Sequence, residues 1–129
     1  MTGKLLDTIV LINLSRGIVT AADYVDEERR KGVPLFVSVV SAIELIVGCR
    51  NKAEVNKAAK LVAKFSSIYL NQAISTKAYK LILSYSKSHG LMIPDSLIAA
   101  TALAEGLELA SDNDRHFKMI TGLSVNRPY

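Results

Sequence analysis

The sequence has little of the chemistry that builds disulfide or thiolate sites, since Cys49 is its single cysteine. One cysteine excludes a disulfide framework and a thiolate zinc site, and it favours a reducing cytoplasm. A glycine-rich phosphate loop is missing as well. The five tyrosines are scattered and offer no platform on which bases could stack. These absences exclude several common kinds of functional site.

The sequence also lacks apolar runs long enough to cross a membrane. Its longest apolar stretches are interrupted well short of the roughly 18–20 residues that span a bilayer. The interrupting polar residues are Asp7, Asn13, Ser41 and Glu44. The start of the chain does not show a charged region followed by an apolar block and a cleavage site. We therefore expect a cytoplasmic protein that is neither exported nor bound to a membrane.

What the chain does have is the composition of one globular domain. It contains 129 residues, of which 50% are hydrophobic, and its mean hydropathy is +0.24. That is enough apolar material for a real core, so we expect residues 1–129 to form a single domain. The net charge of +4 and the isoelectric point near 9.3 are compatible with an acidic partner.

Short β-prone segments alternate with helical segments along the chain. Strands are predicted at residues 5–6, 35–38, 67–70 and 107–110, with a fifth at 123–125. Helices are predicted at residues 8–15, 21–31, 40–47, 53–65 and 75–87, and from Pro94 to Gly106. If Thr8 begins the first helix, its hydroxyl is expected to cap that helix. This alternation predicts an α/β fold, with a short, mostly parallel central sheet flanked by helices on both faces.

Three carboxylates lie in segments that otherwise have the composition of a core. Asp7 and Glu44 each interrupt an apolar run, and Asp95 opens the apolar segment after Pro94. A lone buried carboxylate is costly unless it is protonated, paired or bound to a cation. Together with the acidic cluster Asp112-Asn113-Asp114, these positions predict convergence on one charged ligand. The hard cations Mg²⁺ and Mn²⁺ are the simplest such ligands.

The predicted sheet places these acids along one edge. In open α/β folds the ligand site lies beyond the carboxyl ends of the strands, where the chain turns into helices. Asp7 follows the first strand, Glu44 lies in the helix after the second, and Asp95 begins a later helix. The cluster at 112–114 directly follows the fourth strand. Like charges crowded at one edge are tolerated mainly when cations neutralise them, so a metal-dependent site is predicted.

Each of these residues also has a purely structural explanation. Asp95 could be only a first-turn helix charge, and Glu44 could pair with Arg50. The cluster at 112–114 could be a plain turn. His116 is expected to pack or cap near Phe117. The functional interpretation is favoured because four coincidences would have to align at one sheet edge.

Four segments of the chain, taken in order, resemble the PIN-domain nucleases. They are Leu6-Asp7-Thr8, Ser41-Ala42-Ile43-Glu44-Leu45, Pro94-Asp95-Ser96-Leu97-Ile98-Ala99-Ala100-Thr101-Ala102, and Leu109-Ala110-Ser111-Asp112-Asn113-Asp114-Arg115-His116-Phe117 followed by Gly122-Leu123. Their order and spacing are most similar to the single-domain VapC-type toxins of prokaryotic toxin–antitoxin operons. The resemblance spans nearly the whole chain.

The resemblance implies a Mg²⁺- or Mn²⁺-dependent endoribonuclease that cleaves RNA and is held inactive by a cognate antitoxin. A homodimer is expected. Asp7, Glu44 and Asp95 match the metal-site acids of the family, and we assign Asp7 and Asp95 to the main metal ion. Glu44 and the cluster at 112–114 are assigned to bound waters or a second ion. The supporting polar residues, expected to hold water or phosphate, are Thr8, Ser41 and Ser111.

The chain departs from the family pattern at two positions. Asn113 stands where many relatives have Asp, so the fourth site residue is Asp112, Asn113 or Asp114. Ile9 stands where relatives more often have Asn or Ser, so a supporting polar contact is missing there.

Two other functions are compatible with the same residues. One is a phosphatase that uses Asp7 as a nucleophile, as haloacid-dehalogenase-like enzymes do, although that family places a second Asp where this chain has Ile9. The other is a catalytically silent PIN-like module for RNA binding or protein interaction, for which Asn113 would be the sign.

Overall fold

The chain folds into a parallel sheet with helices on both faces in a computed structural model that describes residues 2–129. The strands are β1 (Lys4–Leu6), β2 (Leu35–Ser38), β3 (Ser66–Ile68), β4 (Glu108–Ala110) and β5 (Val125–Asn126). The α-helices are α1 (Thr8–Ser15), α2 (Val19–Arg30), α3 (Val39–Val47), α4 (Lys52–Val62), α5 (Gln72–His89) and α6 (Ile93–Glu105). A 3-10 turn, Asp114–His116, follows β4.

The strand order is β3-β2-β1-β4-β5, and every neighbouring pair is parallel. The first strand is therefore the central one, with Leu5 beside Phe36 on one side and Leu109 on the other. From β1 the chain builds outward through β2 and β3, and only later adds β4 and β5 on the opposite side. The order of the strands thus reverses between β1 and β4, which is where open α/β sheets form ligand sites.

The two faces of the sheet carry separate apolar cores because successive strand residues point to opposite faces. Leu5 packs with α5 and α6, including Ile74 and Ile98. Its neighbour Leu6 packs on the other face with α1, α2 and α4, including Val10. Within residues 2–129 no single helix is long and apolar enough to cross a membrane, and the pair α1 and α2, which would suffice together, is bent by 114°.

Short polar side chains begin most of the helices, and glycines end three of them. Asp7, Ser38, Asn51 and Asn71 each accept a hydrogen bond from a backbone N–H at the start of a helix. Gly106 ends α6 at a φ of 65°, a left-handed conformation that a side chain would disfavour. The four capping side chains therefore fix where α1, α3, α4 and α5 begin.

The α/β class predicted from the sequence is confirmed, and the sheet is parallel throughout. All five strands and six helices occur at the predicted places, with ends shifted by up to three residues. The expectation for Thr8 is wrong. Asp7 caps α1 by accepting a bond from the Thr8 N–H, while the Thr8 hydroxyl points toward α3. The 3-10 turn after β4 was not expected, since three residues carry too little periodicity to be detected.

Candidate active site

The candidate site lies at the carboxyl ends of β1 and β4. The Asp7 N–H bonds to the Ala110 carbonyl at 2.9 Å, which extends the pairing of the two strands by one residue. Asp7 and Ser111 are therefore held side by side at the point where the strand order reverses. Because this connection is made by backbone, the position of Asp7 does not depend on a flexible loop.

Asp7 is buried and its carboxylate is held at both oxygens. Oδ1 accepts a bond from the Thr8 N–H at 2.8 Å, and Oδ2 accepts one from the Ser111 hydroxyl at 2.6 Å. The same Ser111 oxygen accepts a bond from the Asn113 N–H at 3.0 Å. Ser111 therefore joins the central acid to the loop after β4.

Glu44 reaches the site from the second turn of α3. Its Oε1 lies 2.7 Å from the Thr8 hydroxyl, which also lies 2.9 Å from the buried Ser41 hydroxyl. A carboxylate can only accept, so Thr8 donates its one proton to Glu44, and the proton between the two hydroxyls comes from Ser41. The suggestion that Glu44 pairs with Arg50 is wrong, because Arg50 bonds to Glu54 at 2.8 Å.

Asp95 enters from the first turn of α6, where it also complements the helix dipole. Its Oδ2 lies 3.6 Å from His116 Nδ1, and the His116 side chain is about half exposed. The expectation that His116 packs or caps near Phe117 is wrong, since Phe117 is buried while the half-exposed His116 side chain faces Asp95. His116 is the residue that sequence reasoning missed, and its position depends on a turn that no sequence pattern signalled.

The three acids influence one another electrostatically. The pKa of Asp7 is raised from its ordinary value of 3.8 to about 6. Burial is the largest cause, the charges of Asp95 and Glu44 act in the same direction, and the bonds from Ser111 and the Thr8 N–H oppose the shift. Burial also raises the pKa of Asp95, and Glu44 adds to that shift while His116 opposes it. Glu44 and Asp95 are thus near enough to Asp7 for their charges to disfavour its ionised form.

The cluster after β4 divides into residues with different surroundings. Asp114 lies in ion pairs with Lys118 at 3.0 Å and Arg127 at 3.4 Å, and the bond from Lys118 lowers its pKa. The Asn113 side chain is exposed. Asp112 Oδ1 is buried and accepts no hydrogen bond within residues 2–129. Asp114 is therefore committed to a structural pairing, whereas Asp112 keeps a buried oxygen without a partner.

A family model for the PIN domain matches residues 4–123 of the chain. The chain belongs to the PIN-domain family. It is 40% identical over 120 residues to Ribonuclease VapC10 of Mycobacterium tuberculosis, an alignment that covers 92% of this chain and 89% of that protein. It is 32% identical over 124 residues to Ribonuclease VapC19 of the same organism, covering 93% and 96% of the two chains. The family resemblance inferred from the sequence motifs is confirmed.

Solved structures of toxin–antitoxin proteins have the same fold. A chain of a toxin–antitoxin complex from Klebsiella pneumoniae superposes with a TM-score of 0.77 at 28% identity, covering 98% of both chains. A chain of VapBC2 from Rickettsia felis, bound to a DNA fragment from its promoter, superposes with a TM-score of 0.83 at 21% identity, covering 96% of this chain and 97% of that one. The second likeness concerns the fold alone.

The donor set of this PIN domain fits a hard divalent cation. It offers carboxylate oxygens and the unpartnered Oδ1 of Asp112, with no thiolate among them. Within residues 2–129, no three His, Cys, Asp or Glu side chains are gathered closely enough to hold a metal ion directly. Mg²⁺ usually takes only one or two carboxylates and keeps several waters, so a more open arrangement of acids suits it.

The raised pKa of Asp7 predicts that Asp7→Asn stabilises the metal-free protein at neutral pH. The folded state binds the Asp7 proton more tightly than the unfolded chain does, so its contribution to stability falls as the pH rises from about 4 to about 6. In chelator at pH 7.5, we expect a gain on the order of 1–3 kcal/mol, measured by denaturant unfolding. Asparagine also keeps an oxygen that can cap α1.

The gain should disappear near pH 3.5, where wild-type Asp7 is itself protonated. The exposed acid Asp26 provides the matched control, since Asp26→Asn makes the same chemical change on the surface of α2. An equal gain at both pH values, or a loss of stability at pH 7.5, would contradict the assignment.

Proposed function

We propose that this chain is a Mg²⁺- or Mn²⁺-dependent endoribonuclease, the toxin component of a toxin–antitoxin pair, acting in the cytoplasm as a single PIN-like domain. The observation that carries the proposal is the buried Asp7 carboxylate, held beside Glu44 and Asp95 where the strand order reverses. Its support from relatives is the 40% identity to Ribonuclease VapC10. The single cysteine supports a reducing compartment.

The residues that would hold the metal ion are Asp7 and Asp95, with Glu44 contacting its waters and Asp112 or Asn113 completing the site. When bound, the ion supplies positive charge to the non-bridging phosphate oxygens and makes water a better nucleophile. A bound cation also fits the raised pKa of Asp7 and of Asp95, because a nearby positive charge favours the carboxylate form of each. Asp114 is left out of this set because it is already bound to Lys118 and Arg127.

Hydrolysis requires a water placed in line with the leaving oxygen. The hydroxyl groups of Thr8 and Ser111 hold the acids that orient this water. Thr8 fixes Glu44 Oε1, so the second oxygen, Oε2, is left to accept a hydrogen bond from the attacking water. Ser111 fixes Asp7 Oδ2 in the same way. The water attacks phosphorus and its proton passes toward Glu44, while the bond to the leaving ribose oxygen breaks and that oxygen takes a proton from solvent. The bonds from Thr8 and Ser111 keep Glu44 and Asp7 in position while Glu44 takes up the proton.

The phosphatase alternative has no support from the surroundings of Asp7. Ile9 stands at the position where such enzymes need a second acid, and its side chain packs against the core on the α1 face. The alternative of a silent interaction module depends on Asn113, which is exposed. We favour the nuclease because Asp7, Glu44 and Asp95 are all retained and near one another.

Replacing Asp95 should remove cleavage while leaving the fold intact. We expect Asp95→Asn to reduce the cleavage rate of a structured RNA in Mn²⁺ by more than tenfold, or about 1.4 kcal/mol of barrier, because one charged metal ligand is lost. Thermal melting should show a fold at least as stable as wild type, since a repulsive charge is removed. The control is Asp26→Asn, which should cleave normally. Equal cleavage by the Asp95 variant would refute the assigned site, and no cleavage by wild type would favour the silent module.

We also propose that a cognate antitoxin protein restrains this chain. The support is the likeness, at 28% identity, to a chain of a toxin–antitoxin complex from Klebsiella pneumoniae. Inducing the wild-type chain alone should arrest cell growth, and co-expressing the small gene next to it should restore growth. Asp7→Asn induced alone should not arrest growth. Normal growth with abundant soluble wild-type protein would contradict the toxin assignment.

A homodimer is proposed from an exposed apolar face. Tyr79 and Leu83, one turn apart on α5, are 65% and 66% exposed, and Met92 and Ile93 at the start of the neighbouring α6 are each 70% exposed. Large apolar side chains exposed on adjacent helices are typical of interaction surfaces. Sedimentation velocity should find a wild-type dimer that Tyr79→Ser with Leu83→Ser dissociates. Val19→Ser, on the opposite face of the sheet, should leave it dimeric, whereas a monomeric wild type would contradict the proposal.

A further inference from the structure

A polar residue, Asn13, interrupts the apolar sequence of α1, the helix that Asp7 caps. Asn13 is half-buried, and its Nδ2 donates a hydrogen bond to the hydroxyl of Tyr129. The two residues are 116 positions apart in the sequence. This bond therefore joins the segment that follows β5 to the helix that begins at the acidic site, and it explains why one position of an apolar helix is polar.

The segment 127–129 leaves β5 at the edge of the sheet where the acids lie. The Ser111 N–H bonds to the last carbonyl of β5 at 3.1 Å, which places the start of the segment beside the loop after β4. Arg127 then forms an ion pair with Asp114 of that loop at 3.4 Å. The first residue of the segment is thus anchored to the loop that carries the candidate fourth site residue.

Tyr129 anchors the other end of the segment by contacts of two kinds. Its hydroxyl accepts the bond from Asn13, and its ring packs edge-on against Tyr24 of α2, with ring centroids 6.1 Å apart. Pro128 lies between the two anchored residues, and its ring restricts the backbone to few conformations. Because the residue between them is stiff, Arg127 and Tyr129 hold each other in place.

Asp112 belongs to the loop that this segment contacts. Its Oδ1 is buried and accepts no hydrogen bond within residues 2–129. Burial raises the pKa of the Tyr129 hydroxyl, the bond from Asn13 opposes that shift, and the negative charge of Asp112 adds to it. The two side chains are therefore close enough to interact. Since the Tyr129 oxygen accepts from Asn13, its own proton remains available, and the acid whose charge reaches it is Asp112.

We propose that segment 127–129 is a strap that holds the loop after β4 against α1, and that Tyr129 is a positioning residue for Asp112 at the metal site. The proposal rests on the proposed metal-dependent ribonuclease function and deepens it, since it makes Asp112 rather than Asn113 the fourth site residue. A carboxylate that is already restrained loses less freedom when a cation binds, so the strap increases the affinity for the metal ion.

The test removes the hydroxyl contact from each side. Tyr129→Phe keeps the ring on Tyr24, and Asn13→Ala removes the donor of the same hydrogen bond. Both changes are made in the wild-type chain and in Asp112→Asn. The matched control is Tyr69→Phe, the same chemical change at a side chain that is 70% exposed. Calorimetric titration measures Mn²⁺ binding without RNA, and cleavage of a single-stranded RNA is measured over a range of Mn²⁺ concentrations. Thermal melts in chelator report folding.

We expect Tyr129→Phe and Asn13→Ala each to weaken Mn²⁺ binding about tenfold, the lower end of what the loss of a residue supporting a metal ligand costs. In Asp112→Asn neither change should weaken binding further, because a residue that acts through Asp112 has nothing left to position. Saturating Mn²⁺ should return kcat to within about twofold of wild type, with the KM for RNA unchanged. Tyr69→Phe should match wild type throughout.

Four outcomes would overturn the proposal. Wild-type Mn²⁺ affinity in both variants would remove the strap from the site while leaving the nuclease function standing. Equal weakening with and without Asp112→Asn would show that Tyr129 acts through another group. Unfolding of both variants in chelator would make the strap a part of the fold alone. A wild-type chain that binds no Mn²⁺ would refute the metal-dependent function as well.

Discussion

The structure depends on one unfavourable requirement, a carboxylate buried at the end of the central strand. Asp7 follows β1, which has neighbours on both sides, so water has little access to it. Burial raises its pKa to about 6, even though Ser111 and the Thr8 N–H bind its oxygens. Ser111 directly follows β4, the strand beside β1, and Thr8 is the first residue of α1, the helix that Asp7 caps. The local fold is thus arranged to hold this group rather than to avoid it.

Two neighbouring helices bring further carboxylates close to Asp7 at a cost in stability. Glu44 and Asp95 come from α3 and α6, and both charges make Asp7 harder to ionise. A chain selected for stability alone would place apolar residues there, because like charges near one another weaken a fold. Local rules are commonly broken at functional sites and compensated elsewhere. Here the compensation is the pair of apolar cores on the two faces of the sheet, which fix β1 from above and below.

Much of this arrangement could be predicted from the sequence because its signals are local. Apolar strands separated by helices predicted the α/β class, and Asp7, Glu44 and Asp95 are visible as charges inside apolar runs. Contacts between distant segments could not be predicted in the same way. The pairing of Asp114 with Arg127, the approach of His116 to Asp95 and the bond from Thr8 to Glu44 all depend on how helices pack. The hydrophobic periodicity of the sequence does not reveal such contacts, so it could not predict the role of each residue at 112–116.

The two signs of charge in the chain act over different distances. The acids lie in or near the crevice, where low dielectric strengthens their effect on one another and on a bound cation. The basic residues that give the net charge of +4 lie mostly on exposed helices, where salt screens them beyond about 10 Å. Arg16 and Lys57 occupy the boundary between these regions, beside Glu44 in one groove. Charge at this boundary is near enough to act on a ligand that approaches the acids, whereas charge on distant surfaces is screened.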